Sequence, residues 1–255
     1  MLNIVVPMAG RGQRFVAAGY NLPKPLIPVH GMPMVELIIG NLRPSTPHRF
    51  HFLIQRAHDT VYGLSLALRD WAPGCSITHV DGITEGAACT VLLARDKINS
   101  DAPLMIANCD QWVDTNIDEY LSKINAERLD GLIMTMTARD SKWSYVRFDQ
   151  SGDITEVVEK KVVSNEATVG IYNFLQGADF VQGADKMIEK NLRVNDEFYV
   201  APVYNELITV GKRIGVFNIG SEDAGMYGLG IPEDLDKFIA NPISKMAATN
   251  SRITR

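Results

Sequence analysis

The stretch NIVVPMAGRGQRF, residues 3–15, joins a run of apolar residues directly to a glycine-rich loop. A continuous apolar run such as 3–7 is typical of a buried strand at the centre of a parallel sheet. Ligands of open α/β sheets bind at the carboxyl ends of strands, where this loop begins. Gly10 and Gly12 allow backbone N–H groups to approach phosphate oxygens without an intervening Cβ. The stretch therefore predicts a phosphate-binding loop on an α/β fold.

Strand and helix patterns alternate on the carboxyl side of this loop. We predict strands at 3–7, 49–54, 76–80 and 103–107, and helices that begin at Pro33 and span 58–71 and 86–98. This order is typical of a parallel sheet with helices on both faces. Four more strands follow with fewer helices, at 131–137, 145–148, 154–159 and 167–174, and 150–153 form a hairpin turn. The prediction is a Rossmann-like α/β fold with a mixed, mostly parallel sheet.

The domain organisation follows from the absence of a Pro/Ser-rich linker or an internal repeat in the sequence. We expect a single domain over residues 1–242. Residues up to about 130 would form a nucleotide-binding half, and 131–242 an acceptor-binding half. The polar segment 243–255 is expected to be a tail that frays.

Composition and charge exclude several classes of function. The formal net charge of −5 argues against broad nucleic-acid binding, which requires a basic surface. The three cysteines form neither a CxxC pair nor a zinc-binding spacing. No basic segment precedes the first apolar run, and no apolar stretch reaches the length of a membrane span. We expect a cytoplasmic protein with neither a nucleic-acid nor a membrane partner; its oligomeric state stays open.

Two cations flank the glycine loop. Arg14 follows the glycines directly, and Lys24 lies between two prolines a few residues later. The loop differs from a dinucleotide-binding motif, which would have a third glycine at Phe15, and it lacks the Gly-Lys-Ser/Thr of a Walker loop. A backbone cradle with two cations suits a triphosphate whose charge must be neutralised during transfer. The alternative is a tight glycine turn with two solvated cations.

The combined pattern resembles a known enzyme family. Residues 10–15 (GRGQRF), 23–26 (PKPL) and 31–34 (GMPM) are similar to the opening signature of the sugar-1-phosphate nucleotidyltransferases. This family contains the glucose-1-phosphate thymidylyltransferases. Later segments are similar as well, so that the resemblance extends to about residue 240; these segments are 84–88, 108–110, 158–160, 169–172 and 230–235.

The resemblance implies a role for each matching residue. The nucleotide would be bound by Met8, Ala9, Gly10, Gly12, Glu85, Gly86 and Ala87. The acceptor would be bound by Glu159, Gly170 and Tyr199. The catalytic residues would be Arg14, Lys24, Asp110 and Lys160, and Asp110 would hold the Mg²⁺ cofactor. Three of these have simpler explanations: Asp110 as a turn cap, Glu85 as a first-turn helix acid, and Lys160 as part of a solvated charge cluster.

Two departures from the family pattern limit what can be carried over. Gly228 stands where the family commonly has an aspartate that is a second metal ligand. Either Glu222 or Asp223 replaces it, or one metal is held by Asp110 and the substrate phosphates. Residues 196–202 differ from the usual segment, which indicates an acceptor other than an ordinary hexose phosphate. Residues 108–112 resemble capsule-biosynthesis nucleotidyltransferases, including a cytidylyltransferase that acts on phosphorylated glutamine.

The sequence therefore predicts an enzyme that joins a nucleoside triphosphate to a small phosphorylated acceptor, releases pyrophosphate and acts in capsule polysaccharide biosynthesis. CTP is the expected nucleotide, because small residues at Ala87 and Ala88 would bring the backbone close enough to exclude a purine. The same small residues are also compatible with room for a purine. The alternatives are a glycosyltransferase that uses a nucleotide sugar, and a nucleotide sensor without catalytic activity.

Overall fold

A large mixed sheet runs through the computed structural model, which describes residues 1–253. Its strands, with a separate β2–β3 hairpin, are β1 (Leu2–Pro7), β2 (Pro28–Val29), β3 (Met32–Pro33), β4 (His48–Gln55), β5 (Ser76–Val80), β6 (Leu104–Ala107), β7 (Gln111–Val113), β8 (Gly131–Thr137), β9 (Tyr145–Phe148), β10 (Ile154–Val158), β11 (Glu166–Phe174), β12 (Ile214–Glu222) and β13 (Gly225–Gly228). The helices are α1 (Gln13–Ala17), α2 (Met34–Leu42), α3 (Arg56–Tyr62), α4 (Leu64–Trp71), α5 (Ala87–Leu92), α6 (Arg95–Ile98), α7 (Ile117–Ala126), α8 (Gly177–Glu189), α9 (Val203–Thr209), α10 (Pro232–Ala240) and α11 (Ile243–Ile253), and a 3₁₀ turn spans Lys24–Leu26.

The strand order explains how distant motifs come together. The order is β5-β4-β1-β6-β11-β8-β12-β13-β7, and β9 pairs with β11 and β10. Neighbours are parallel from β5 to β6 and from β8 to β13, whereas β11 and β7 run in the opposite direction. Because β1 lies beside β6, the loops that follow these two strands meet at one edge of the sheet. The predicted mixed, mostly parallel sheet is confirmed.

Helices pack against both faces of the sheet through apolar side chains. One core contains apolar residues of α2, α4, α7, α10 and α11, and the other contains those of α5, α6, α8 and α9. Near-continuous apolar strands such as β1 and β6 require cover on both faces, which these two helical layers provide. The predicted α/β architecture with helices on both faces is therefore confirmed. Within residues 1–253, no helix combines the length and the apolar character needed to cross a bilayer.

Two predicted helices are each divided into two. The prediction of one helix over 58–71 is wrong, because Gly63 has a left-handed backbone with φ 61° and separates α3 from α4. The prediction over 86–98 is also wrong. Gly86 has φ 130° and lies outside α5, and the Ala94 N–H donates to the Val91 carbonyl, which closes the last turn before α6.

The segment expected to be a fraying tail is instead a packed helix up to Ile253, and the last two residues of that prediction lie outside the described residues. Helix α11 buries Ala247 and Ala248 and packs on α2. Its start is held by a hydrogen bond of 2.7 Å between His30 Nε2 and Ser244 Oγ. A Cβ at Gly40 would lie 2.6 Å from Ser251 Oγ, so α2 has a glycine where the two helices approach most closely. Lys245, Thr249 and Asn250 lie on the exposed face of an amphipathic helix, whereas Ser244 and Ser251 are buried with the alanines, so overall polarity concealed the helix.

Candidate active site

Three neighbouring cavities open at the carboxyl ends of β1 and β6. The turn cavity, about 440 Å³, lies between the residues after β1 and the turn that contains Gly86. The loop cavity, about 510 Å³, lies over residues 10–14. The sheet cavity, about 380 Å³, lies beside β9 and β11. Asp110 lines all three cavities, so a group held at Asp110 can be reached from each of them.

The glycine loop is held in shape by contacts on both of its sides. The Gln55 side chain donates a hydrogen bond of 2.6 Å to the Ala9 carbonyl. Phe15 is buried and meets Tyr20 edge-on, which anchors the start of α1 in the core. Gly12 has φ 61°, and a Cβ there would lie 3.3 Å from Lys24 Cβ. The loop is therefore fixed against the segment that carries Lys24 before any ligand binds.

Lys24 and Asp110 form an ion pair at the centre of the site. Lys24 Nζ donates to Asp110 Oδ2 at 2.6 Å, and each side chain is 21% exposed. Burial alone would lower the pKa of Lys24, but the Asp110 carboxylate outweighs it and raises that pKa above its usual range. Lys24 is therefore a permanent cation at this point. Among the residues described, Asp110 Oδ1 has no hydrogen-bond partner, which leaves that oxygen available to a ligand.

The Gly86 turn is fastened to a distant segment of backbone. The Phe198 N–H donates to the Glu85 carbonyl at 2.8 Å, and the Ala88 N–H donates to the Phe198 carbonyl at 3.0 Å. A Cβ at Gly86 would overlap the Phe198 backbone. Met8, Ala9, Gly10, Gly86 and Ala87 line the turn cavity. Glu85 is not among the residues that line it, and its carboxylate forms an exposed ion pair with Arg193.

The predicted acceptor residues line the sheet cavity together with Arg14 and Lys142. Lys160 has φ 54°, its Nζ donates to the Tyr199 hydroxyl at 2.5 Å, and this hydrogen bond raises the pKa of Lys160. Glu159 accepts a hydrogen bond from Ser144, and burial raises the pKa of Glu159. Arg14 also lines the loop cavity, so this residue lies where the two cavities meet.

Gly170 makes room for two amide side chains in the sheet cavity. It has φ 78°, and a Cβ there would overlap the side-chain amides of Gln111 and Asn108. The Asn108 N–H donates to the Gly170 carbonyl at 3.0 Å, which fixes the end of β6 against β11. Both amides line the cavity, although no role for either was predicted from the sequence. Asn108 lay inside a quoted motif, whereas Lys142 and Trp143, which also line the cavity, lay outside every motif.

The acidic residues fit a magnesium site built on one carboxylate. Asp223 lines none of the three cavities, and residues 1–253 contain no group of three acidic or other metal-binding side chains. A Cβ at Gly228 would lie 3.1 Å from Asp234 Oδ2, so an aspartate at 228 would meet an existing carboxylate. Mg²⁺ is commonly bound through one or two carboxylates and substrate phosphates, which the available Oδ1 of Asp110 allows.

Most of the chain is similar in sequence to known proteins. The family model described as "Nucleotidyl transferase" matches residues 4–201. The chain is 25% identical over 175 residues to the bifunctional protein GlmU of Methanococcus aeolicus; the match covers 68% of this chain and 40% of that relative.

Solved structures share the fold. The nucleoside-diphosphate-sugar pyrophosphorylase from Vibrio cholerae RC9 has a TM-score of 0.77 and 24% identity, covering 93% of this chain and 100% of that one. The inositol-1-phosphate CTP transferase from T. maritima has a TM-score of 0.70 and 15% identity, covering 97% and 95%.

Proposed function

Since the chain belongs to the nucleotidyl transferase family, we propose that it transfers a nucleotidyl group from a nucleoside triphosphate to a small phosphorylated acceptor and releases pyrophosphate. The predicted family resemblance is confirmed at this level. The curated relative cited above is considerably longer than its match to this chain, which covers 40% of it. The residues of the site are therefore the support for this reaction.

The observation that carries the proposal is the meeting of three cavities at Asp110. A nucleotidyl transfer brings together a nucleoside, a leaving pyrophosphate and an attacking phosphate, and each requires its own space. The turn cavity offers closely approaching backbone for a base, the loop cavity offers Arg14 and Lys24, and the sheet cavity offers Lys160. This distribution of charge supports a reaction between two anionic substrates.

In the proposed mechanism, an acceptor phosphate oxygen attacks the α-phosphorus in line and expels pyrophosphate. The acceptor phosphate is ionised near neutral pH, so no general base is required. Lys160 holds the attacking phosphate, Lys24 neutralises charge at the α-phosphate, and Arg14 bridges the α-phosphate and the departing pyrophosphate. Catalysis then rests on positioning and charge neutralisation. Asp110 would hold Mg²⁺, which supplies additional positive charge against the phosphates when it is bound.

CTP and a non-hexose acceptor are the finer parts of the proposal. Ala87 lines the turn cavity with a small side chain, which supports the proposed pyrimidine site, whereas Ala88 is buried and does not line the cavity. The T. maritima neighbour is described as a CTP transferase of inositol 1-phosphate, but at 15% identity it supports only the fold. A role in capsule polysaccharide biosynthesis rests on the resemblance of residues 108–112, and a cytoplasmic location rests on composition; both belong to the same proposal.

A pyrophosphate-release assay tests the function. ATP, GTP, CTP, UTP and dTTP are each combined with Mg²⁺ and with glucose 1-phosphate, inositol 1-phosphate or phosphorylated glutamine. We expect pyrophosphate release that requires both substrates, with CTP preferred. Consumption of a nucleotide sugar without pyrophosphate would identify a glycosyltransferase instead. Nucleotide binding without turnover on any acceptor would identify a sensor.

A further inference from the structure

Glu197 lies where two of the cavities join. The turn cavity and the loop cavity share five lining residues, which are Gly10, Lys24, Ile83, Asp110 and Glu197. In a nucleoside triphosphate, the sugar is the covalent link between the base and the phosphates. A nucleotide with its base in the turn cavity and its phosphates in the loop cavity must therefore place its sugar beside these shared residues.

Three of the shared residues have polar side chains, and two of these are already paired. Lys24 Nζ and Asp110 Oδ2 are 2.6 Å apart, and both face the phosphates in the proposed function. Glu197 is exposed, and its backbone N–H and carbonyl are both hydrogen-bonded to Val194 at 3.0 Å. Any polar contact that Glu197 makes with a nucleotide must therefore come from its carboxylate.

The carboxylate of Glu197 is unsuited to binding phosphate. A carboxylate accepts hydrogen bonds only, and it repels a phosphate of the same charge. The hydroxyl groups of a ribose are donors that a carboxylate accepts well. An acid beside two cations of a phosphate site is thus explained by a sugar hydroxyl and not by the phosphates.

The loop around Glu197 has a constrained backbone. Asn195 and Asp196, which precede it, have φ values of 48° and 63°, in the left-handed region that non-glycine residues seldom adopt. The Tyr199 hydroxyl accepts a hydrogen bond from Lys160 Nζ at 2.5 Å, and burial together with the nearby Glu197 carboxylate raises the pKa of Tyr199. The backbone that carries Glu197 is therefore set by the fold, and it places the carboxylate close to Tyr199 and Lys160.

We propose that Glu197 accepts a hydrogen bond from a ribose hydroxyl and makes the enzyme selective for ribonucleotides over 2′-deoxyribonucleotides. The inference rests on the proposed function, because it requires a nucleoside triphosphate to span the two cavities. It adds a residue that determines sugar specificity, to which the sequence motifs gave no role.

Equilibrium binding measured by calorimetry tests the proposal without requiring turnover. CTP and dCTP, and UTP and dUTP, are titrated with Mg²⁺ into the wild type, Glu197→Ala and Glu197→Gln. We expect the wild type to bind the ribonucleotide at least about tenfold more tightly, as for a hydrogen bond to a charged group. Glu197→Ala should lose this ratio by weakening only ribonucleotide binding. Glu197→Gln should retain part of it, because the amide oxygen still accepts.

Asp196→Asn is the matched control, since it removes one negative charge from the same loop and leaves the Glu197 carboxylate; it should keep the wild-type ratio. Equal affinity of the wild type for ribo- and deoxyribonucleotides would overturn the inference alone. Equal weakening of both nucleotides by Glu197→Ala would assign the carboxylate to the metal or the phosphates and overturn it as well. A wild type that bound no nucleotide would overturn the proposed function too.

Discussion

At the scale of single residues, the site depends on glycines that leave space for neighbouring groups as much as on charged side chains. Gly170 leaves space for the Asn108 and Gln111 amides, and Gly86 allows the Phe198 backbone to pass. Asp110 has the opposite role, because one short carboxylate reaches all three cavities. Substitutions at such positions separate the geometry of the site from the stability of the fold.

Gly170→Ala should impair the sheet cavity more than the fold. The added methyl group displaces the Asn108 and Gln111 amides, so we expect the KM for the acceptor to rise about tenfold or more. The left-handed backbone adds a cost of about 1 kcal/mol to the free energy of folding. Gly152→Ala is the control, because Gly152 has φ 87° and open space around its Cβ position. The midpoint of thermal unfolding should fall by a similar amount in both variants. If Gly170→Ala and Gly152→Ala had the same KM for the acceptor, the assignment of the sheet cavity to the acceptor would be contradicted.

Asp110→Asn should remove most turnover while the fold is retained. The variant keeps the shape of the side chain and loses the charge that would hold Mg²⁺, so pyrophosphate release should fall by roughly two orders of magnitude or more. Circular dichroism should stay native. Asp81→Asn removes an exposed acid that pairs with Arg56, and its turnover should be normal. Near-normal, Mg²⁺-dependent turnover in Asp110→Asn would contradict the metal assignment.

At the scale of elements, the site is assembled by turns and loops that strands hold at one edge of the sheet. Lys24 lies on the 3₁₀ turn after the β1 loop, and Lys160 lies on the loop between β10 and β11. The first loop could be predicted from the sequence because all its residues are contiguous. The link between Lys160, Tyr199 and Glu197 could not, because it joins loops 39 positions apart whose contact depends on the tertiary fold.

Lys160→Ala and Lys24→Ala should affect different substrates. Lys160 lines only the sheet cavity, and its loss should chiefly raise the KM for the acceptor. Lys24 lines the turn and loop cavities, and its loss should chiefly lower the reaction rate of the bound triphosphate. Steady-state kinetics with each substrate varied separately distinguish the two effects. If Lys160→Ala raised only the KM for the nucleotide, the assignment of the two halves would be wrong.

At the scale of the whole molecule, the pattern of apolar residues was sufficient to predict a sheet with helices on both faces. It was not sufficient to predict where one helix ends and the next begins. The parallel pairing of β1, β4, β5 and β6 was predicted from the alternation of strand and helix patterns, but their order in the sheet was not. The break at Gly63 was missed because a glycine within a helical pattern is compatible with either continuation or an end. Helix α11 was missed because its buried residues, such as Ala247, are small.

Low pH should destabilise the protein because of His51, which lies on β4 between the neighbouring strands β5 and β1. His51 Nε2 donates to Asn3 Oδ1 at 2.9 Å, and its Nδ1 accepts from the Ser76 hydroxyl at 2.6 Å. Burial, and then the charge of Arg49, lowers the pKa of His51 to about 4 from the usual 6.5. Between about pH 4 and pH 6.5, the unfolded chain binds a proton at this histidine and the folded chain does not. The free energy of unfolding therefore decreases as the pH is lowered through this range.

The loss amounts to at most about 3 kcal/mol as the pH falls from about 6.5 to about 4. Chemical denaturation of the wild type and of His51→Gln across this range measures it. The variant should lose less stability than the wild type, whereas His48→Gln, at the start of the same strand, should behave like the wild type. Parallel pH profiles for the wild type and His51→Gln would show that another group governs acid stability.

Isotope transfer from the acceptor tests the central claim most directly. CTP and Mg²⁺ are incubated with the most active acceptor of the panel, carrying ¹⁸O at the non-bridging oxygens of its phosphate, and both products are analysed by mass spectrometry. In-line attack by that phosphate on the α-phosphorus predicts that the nucleotide product retains all of the label, including the new P–O–P bridge, and that the pyrophosphate contains none. Labelled pyrophosphate, or product formed without pyrophosphate, would contradict the account.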